Sequence, residues 1–135
     1  MDDCAFCRVA DGRKDVYTLF EGERTVAFLD ENPATAGHAL VFPRAHVEDL
    51  LVADQATSMA VFETARALAL AMDRALEPDG FSVFHTTGGL VGQVEHAHLH
   101  LLPRYVDDDI QLSLSREPID GTDPEALSES IRQTL

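Results

Sequence analysis

Apolar residues at helical spacing predict one long helix, from about Gln55 to Leu76. Asp54 is a plausible N-cap for this helix, and Pro78-Asp79-Gly80 would break it at the other end. The apolar positions would form a single buried stripe, which consists of Val61, Phe62, Ala65, Leu68, Ala69, Met72 and Leu76. Phe62 and Met72 are therefore interpreted as core residues.

Alternation of apolar and polar residues predicts about five short strands. They cover Val16 to Phe20, Thr25 to Leu29, His38 to Phe42, Phe81 to Thr86, and His96 to Arg104. The turn Glu21-Gly22-Glu23 would join the first two strands, and Pro43 would end the third. A short turn or helix over Cys4 to Asp11 precedes the strands, and a helix near Glu125 to Gln133 follows them. We expect an α+β fold, in which the long helix packs on one face of an antiparallel sheet and the other face is open for a site.

The last predicted strand carries three of the chain's six histidines in alternation with apolar residues. His96, His98 and His100 would therefore project from one face of this strand. Core packing gives no reason for a row of imidazoles. They suit nucleophilic attack, proton transfer or metal binding.

The chain is strongly acidic, with 24 Asp and Glu residues, ten Lys and Arg residues and a formal charge of −14. Lys14 is the only lysine. This pattern is typical of proteins from salt-accumulating (halophilic) organisms, and an ordinary acidic protein is the alternative. The charge disfavours non-specific binding to nucleic acid or to an anionic membrane.

Length and hydropathy limit the organisation of the chain. Its 135 residues predict a single domain over 1–135, with 105–135 as a weakly defined C-terminal extension. No apolar run approaches the length of a membrane span, and Met1-Asp2-Asp3-Cys4 lacks the features of a signal peptide. We therefore expect a cytoplasmic protein.

Three segments together resemble the histidine triad (HIT) family of nucleotide hydrolases and transferases. They are Cys4-Ala-Phe-Cys7, the stretch from Ala27-Phe-Leu-Asp30 through Gly37-His38 to Arg44-Ala-His46, and Gly92-Gln-Val-Glu-His96-Ala-His98-Leu-His100-Leu-Leu-Pro-Arg104. The resemblance implies that His98 attacks the α-phosphorus of a nucleotide and forms a nucleotidyl-histidine intermediate, which water then cleaves. It also implies that His100 hydrogen-bonds the phosphate or assists proton transfer.

The same resemblance assigns substrate contacts. Asp30 corresponds to a carboxylate that accepts hydrogen bonds from ribose hydroxyls, and Phe28 is a candidate for the wall of the base pocket. His38 has two open interpretations, a structural link between loop and sheet or a substrate contact.

The chain departs from the family pattern before the triad, where only Val94-Glu95 separate the Gly-Gln pair from His96 instead of three residues. Gln93 consequently takes the position of a small polar phosphate-binding residue. Thr86-Thr87-Gly88 stands where an asparagine is usual. Thr86 and Gln93 are therefore the candidate phosphate contacts of this chain.

Cys4 and Cys7 have the spacing of a zinc knuckle, and a closed structural site needs four ligands. In the subset of the family with this Cys-x-x-Cys motif, the corresponding ligands are completed by His46 and His96. The resemblance thus implies a structural zinc that activates no water. A redox dithiol or two bystander thiols are the alternatives.

The leading interpretation is a hydrolase of nucleoside phosphoramidates or related nucleotide conjugates. Hydrolysis of dinucleoside polyphosphates and nucleotidyl transfer are alternatives within the family. A non-catalytic nucleotide-binding module and a catalytic metal centre on the three triad histidines are alternatives of another kind. Family members commonly pair sheet to sheet, and we expect a homodimer because the fourth strand would otherwise be an unprotected edge.

The halophilic interpretation makes a prediction for stability in salt. The apparent melting temperature should rise steeply with added potassium chloride, because ions screen the self-repulsion of a chain with a formal charge of −14. Thermal melts at low and molar salt measure this effect. A melting temperature that does not change with salt would contradict the halophilic origin.

Overall fold

The computed structural model of the protein describes residues 4–87, 96–118, 121 and 123–135. These residues form three helices and five strands: α1 (Ala5–Ala10), β1 (Tyr17–Glu21), β2 (Thr25–Leu29), β3 (Ala39–Pro43), α2 (Gln55–Leu76), β4 (Gly80–Phe84), β5 (Leu99–Arg104) and α3 (Pro124–Arg132). The strand order is β1-β2-β3-β5-β4, and each neighbouring pair is antiparallel. The predicted α+β class is confirmed.

Helix α2 has the bounds that its sequence predicts. The carboxylate of Asp54 accepts the Thr57 amide at 3.2 Å and caps the first turn, and Glu77 ends the helix in the left-handed region at φ 50°. Met72 is buried as predicted, but Phe62 is 52% exposed, so the interpretation of Phe62 as a core residue was wrong. The stripe that meets the sheet is narrower than the apolar stripe of the sequence.

The two faces of the sheet bury different side chains. One face packs against α2, and its core combines Ala27, Val41, Leu50, Val61, Ala65, Ala97 and Leu99. On the opposite face Phe6 and Val9 of α1 cover an apolar group formed by Val26, Phe28, Leu40 and Phe42. The opposite face is therefore partly closed by the N-terminal helix, and the site lies beside this helix.

Arg44 holds α1 to the sheet at the C-terminal end of the helix. Its Nε donates to the carbonyl of Gly22 at 2.7 Å, and its Nη1 donates to the carbonyl of Ala10 at 2.8 Å. One guanidinium thus connects the end of α1, the β1–β2 turn and the end of β3.

The histidine segment is shorter as a strand than the alternation predicts, because β5 begins only at Leu99. Val41 pairs with Leu99, so continued pairing would bring Pro43 opposite Ala97. Pro43 has no amide hydrogen to donate. Its carbonyl accepts Nε2–H of His96 at 2.7 Å, and the Ala97 amide donates to Val47 at 2.6 Å. The prediction that His96 and His98 lie within the strand was therefore wrong.

The described part of the C-terminal segment makes few contacts with the core. Helix α3 has no buried residue, and the carboxylate of Asp123 caps it by accepting the amides of Glu125 and Ala126. No described helix is both long enough and apolar enough to cross a membrane. The extent of the domain, 1–135 with an extension from 105, stays a prediction.

Candidate active site and metal cluster

His98 lies immediately before β5, on the face of the sheet that α1 covers. Its Nδ1–H donates to the backbone carbonyl of His96 at 2.8 Å, because a carbonyl oxygen can only accept. In the neutral ring this leaves the lone pair on Nε2 available. Burial is the largest cause that lowers the pKa of His98, so the ring is neutral near pH 7. His98 therefore has the protonation state of a nucleophile.

A chain of hydrogen bonds places the proton of His100 on Nε2, whereas the proton of His98 is on Nδ1. The amide of Ala34 donates to Nδ1 of His38 at 3.0 Å, so the proton of the neutral His38 ring lies on Nε2. That Nε2–H donates to Nδ1 of His100 at 2.9 Å, which leaves the proton of His100 on its own Nε2. The rings of His98 and His100 have centroids 5.0 Å apart. The site thus combines an unprotonated nitrogen on one ring with a hydrogen-bond donor on the next.

Burial lowers the pKa of both histidines in this hydrogen-bond chain, His38 and His100. Desolvation is the main cause that lowers the pKa of His38, and it also lowers the pKa of His100 to about 4, with His98 and His38 contributing. Asp30 opposes these shifts, but its Oδ2 lies 3.6 Å from Nε2 of His38, beyond hydrogen-bond distance. A negatively charged group would therefore meet N–H dipoles in this site rather than positive charge.

A cavity of about 250 Å³ lies between α1, β1 and the loop after β2. Its lining includes Ala5, Phe6, Val9, Lys14, Asp15, Val16, Tyr17, Phe28, Leu29, Asp30, Glu31, Asn32 and Leu40. Phe28 is buried in the apolar wall, and Asp30 stands where the strand ends, with Oδ1 accepting the Asn32 amide at 2.9 Å. The structure thus brings together the two residues that the sequence assigns to base and ribose.

The cavity and the histidines share walls. Phe6 lines the cavity, and its ring centroid lies 4.8 Å from that of His98. Leu40 also lines the cavity, and it pairs with His100 across the β3–β5 ladder. The two histidines are not among the lining residues, but two residues of the cavity wall are their neighbours.

Cys4, Cys7, His46 and His96 place their ligand atoms within 4.8 Å of one another. Nδ1 of His96 lies 3.3 Å from Sγ of Cys4 and 3.6 Å from Sγ of Cys7, and Nδ1 of His46 lies 3.3 Å from Sγ of Cys7. A tetrahedral ion with Zn–S of about 2.3 Å and Zn–N of about 2.0 Å requires S–N separations of about 3.5 Å. The donor set and its spacing therefore fit zinc.

The hydrogen bond of His96 to Pro43 suits the binding of a cation in this cluster. Because Nε2–H of His96 donates to Pro43, the Nδ1 lone pair is directed to the two sulfurs, as in metal-ligating histidines whose second nitrogen is hydrogen-bonded. Burial, together with Cys4, raises the pKa of the Cys7 thiol to about 11, so a thiolate there requires a neighbouring positive charge.

Asp30, His38 and His100 form a second group whose ligand atoms lie within 4.8 Å of one another. A metal in this group would have to replace the proton on Nε2 of His38, since the Ala34 amide occupies Nδ1. The product would be an imidazolate, so the group is better described as a hydrogen-bond chain. Within the described residues, the triad histidines do not form a metal-ligating group of their own, because His96 belongs to the cysteine cluster.

The two proposed phosphate contacts are placed differently. Thr86 is exposed and lies two residues beyond β4. Gln93 lies outside the described residues. Thr87, next to Thr86, donates its hydroxyl to Asp49 at 2.8 Å.

Sequence reasoning missed His85. Its Nε2 accepts the Leu50 amide at 3.3 Å, so its Nδ1–H is free to donate to the carbonyl of His98, also at 3.3 Å. The signal was the register of β4 and β5: Phe84 pairs with His100, so the following residue comes beside the nucleophilic segment.

The lowered pKa values predict acid sensitivity. Unfolded histidine has an ordinary pKa of 6.5, whereas folded His100 has a pKa of about 4, so between these values the unfolded chain binds more protons. The free energy of unfolding should therefore fall as the pH drops from 6.5 towards 4. Chemical denaturation across this range measures the slope, which should be shallower in His100→Asn. Equal slopes in the two proteins would contradict the burial of a neutral His100.

Comparisons with known proteins show the family of the chain. Residues 12–107 match the family model described as HIT domain. An uncharacterized HIT-like protein of Saccharolobus solfataricus is 36% identical over 106 residues, which are 78% of this chain and 76% of that protein. A crystal structure of a HIT family protein from Bacillus anthracis superposes with a TM-score of 0.88 at 30% identity, covering 99% of this chain and 98% of that chain.

Three further matches have names that state an activity or a metal. An adenylylsulfatase of Arabidopsis thaliana is 30% identical over 115 residues, 84% of this chain and 58% of that protein. An adenosine 5'-monophosphoramidase of Schizosaccharomyces pombe is 26% identical over 134 residues, 98% of each protein. A zinc-bound histidine triad family protein from Mycobacterium smegmatis has a TM-score of 0.75 at 30% identity, covering 98% of this chain and 92% of that chain.

Proposed function

Because the chain belongs to the histidine triad (HIT) family, we propose that it is a nucleotide hydrolase acting at the α-phosphate of nucleoside phosphoramidates or related nucleotide conjugates. The observation that carries the proposal is the pair of opposed tautomers. His98 holds an available Nε2 lone pair, and the adjacent His100 ring holds a proton on Nε2. Together they are a nucleophile and a donor beside a cavity lined by Phe28 and Asp30.

The reaction proceeds in two displacements at phosphorus. The Nε2 lone pair of His98 forms a bond to the α-phosphorus as the bond to the leaving nitrogen breaks, and that nitrogen takes up a proton from solvent water. Nδ1–H of His98, held on the His96 carbonyl, stabilises the positive charge of the phosphorylated ring. Water then attacks the phosphorus, loses a proton to solvent, displaces His98 as the neutral ring and releases the nucleoside monophosphate.

The remaining residues bind and orient the substrate. Nε2–H of His100 donates a hydrogen bond to a phosphate oxygen and keeps its proton, because the neutral ring, whose Nδ1 accepts from His38, has no second proton to give. Asp30 accepts the ribose hydroxyls and Phe28 contacts the base. Thr86 and Gln93 are the proposed phosphate contacts. The names of two relatives, an adenylylsulfatase and an adenosine 5'-monophosphoramidase, support an adenylyl conjugate as substrate.

Zinc is the proposed occupant of the Cys4, Cys7, His46 and His96 cluster. Four protein ligands leave no position open for water, so the ion would stabilise the fold at this point. Two thiols kept reduced for a metal suit a cytoplasmic location.

A symmetric dimer is proposed through the β4 edge. β4 is the last strand of the sheet order, and Val83 on this strand is 49% exposed. Light scattering after size exclusion in high salt should give twice the chain mass. A monomer mass would contradict this pairing.

The nucleophile is tested by mass spectrometry after brief exposure to adenosine phosphoramidate in high salt. Wild type should carry an adenylyl group on the peptide containing His98 and should release AMP. His98→Ala should lose both, by the several powers of ten expected when a covalent nucleophile is removed. If neither the phosphoramidate nor a dinucleoside polyphosphate yields an adduct or AMP, the non-catalytic binding module is the better interpretation.

The metal assignment predicts one zinc per chain in elemental analysis. Cys4→Ser should lose the zinc, since a three-ligand remnant binds it less tightly. Asp30→Asn is the matched control, because it alters the second group of candidate ligands and should leave the zinc content unchanged. Retention of zinc by Cys4→Ser, or its loss from Asp30→Asn, would contradict the assignment.

A further inference from the structure

His96 belongs to two neighbourhoods at once. Its imidazole lies in the metal cluster, with Nδ1 3.3 Å from the Cys4 sulfur. Its backbone carbonyl accepts Nδ1–H of His98 at 2.8 Å, and this hydrogen bond selects the tautomer that leaves Nε2 of His98 unprotonated. One residue thus connects the cluster to the proposed nucleophile.

Burial and hydrogen bonds restrain His96, so a movement of its ring would also move the backbone around it. The imidazole is buried with 0% exposure, and its Nε2–H is committed to Pro43. The next amide, that of Ala97, donates to the carbonyl of Val47 at 2.6 Å, and Val47 follows the cluster residue His46. The two histidine ligands are therefore tied together through the backbone as well as through the cluster.

A second contact path leads from the cluster to the same ring. In the sequence Phe6 lies between the two proposed ligands Cys4 and Cys7. Its ring stacks on Phe42 with centroids 4.8 Å apart. The ring of Phe6 also lies with its centroid 4.8 Å from that of His98, and the residue lines the cavity. The Cys-x-x-Cys turn therefore supports both the nucleophile and one wall of the cavity.

We propose that His96 is a positioning residue through which an ion in the metal cluster fixes the tautomer and place of His98, so that catalysis depends on a metal that never touches the substrate. This inference rests on the proposed function for its kinetic consequence. Without the ion, the two thiols and two imidazoles of the cluster lose the charge that orders them. The His96 carbonyl then no longer holds the proton of His98 on Nδ1, and α1 no longer holds Phe6 against the ring.

The test follows the His98 ring itself. Nitrogen-resolved NMR of the imidazoles, with His98 assigned by comparison with His98→Ala, reports which nitrogen carries the proton. Zinc-loaded wild type should show one tautomer. Chelated wild type and Cys7→Ser should show a mixture of both tautomers, and re-addition of zinc to the chelated protein should restore the single form.

Single-turnover adenylylation is measured on the same samples. The rate of adduct formation should fall about a hundred-fold in the chelated protein and in Cys7→Ser, as expected for a small misplacement of a reacting group. Phe6→Leu keeps all four ligands, so it should retain zinc and the single tautomer yet lose AMP affinity and part of the rate. If the chelated protein unfolds, Phe6→Leu still tests the second contact path, which leads from the cluster through Phe6 to His98.

Met72→Ala is the matched control for lost stability. Met72 is buried with Ala39 and Leu101 on the opposite face of the sheet, so its truncation lowers the melting temperature without touching the cluster. We expect it to keep the tautomer and the rate below its melting temperature. A single Nδ1–H tautomer and an unchanged adduct rate in folded, zinc-free protein would overturn the proposal. Absence of any adduct in zinc-loaded wild type would instead overturn the proposed function, and the NMR signature would still decide the linkage.

Discussion

The hydrogen bond from His96 Nε2–H to the carbonyl of Pro43 sets the arrangement of the whole site. It leaves the other nitrogen of His96 unprotonated and directed to two cysteine sulfurs. It also occupies the carbonyl of a residue that has no amide hydrogen, so the β3–β5 ladder stops before the first two triad histidines. Because those histidines are off the ladder, a backbone carbonyl is available to hold the proton of His98. The Cys–His cluster, the end of the strand ladder and the tautomer of His98 thus all depend on His96 and its contact with Pro43.

The fold was predictable where local signals agreed with each other. Helix α2 has both a period-matched apolar stripe and an Asp54 cap, and its bounds are those predicted. The alternation of histidines wrongly predicted a strand through His96 and His98, because irregular backbone can also have a period of two. The lack of an amide hydrogen on Pro43, in the neighbouring strand, was not part of that pattern. The prediction that Phe62 is a core residue was wrong for a related reason. Periodicity counts apolar residues, whereas burial depends on which of them the sheet can reach.

The site was predictable as a set of residue types but not as a network. The sequence identified Cys4, Cys7, His46 and His96 through a family resemblance, and the structure brings these four together. The hydrogen-bond chain from Ala34 through His38 to His100 could not be read from spacing, because a loop amide decides it. The ion pair between Arg104 and Asp108 was likewise not predicted from the sequence. The Asp108 carboxylate accepts Arg104 Nε at 2.6 Å and the amides of Tyr105 and Ile110, which together lower its pKa.

Arg44 has a consequence for how a ligand reaches the cavity. Its two hydrogen bonds secure the C-terminal end of α1, and the cysteine cluster secures the N-terminal end. Helix α1, which forms one wall of the cavity, is therefore held at both of its ends. The rim formed by Lys14, Asp15, Glu31 and Asn32 is exposed. Lys14, the one lysine of a strongly acidic chain, thus places a positive charge at an exposed edge of the cavity, and such a charge raises the rate at which an anion associates.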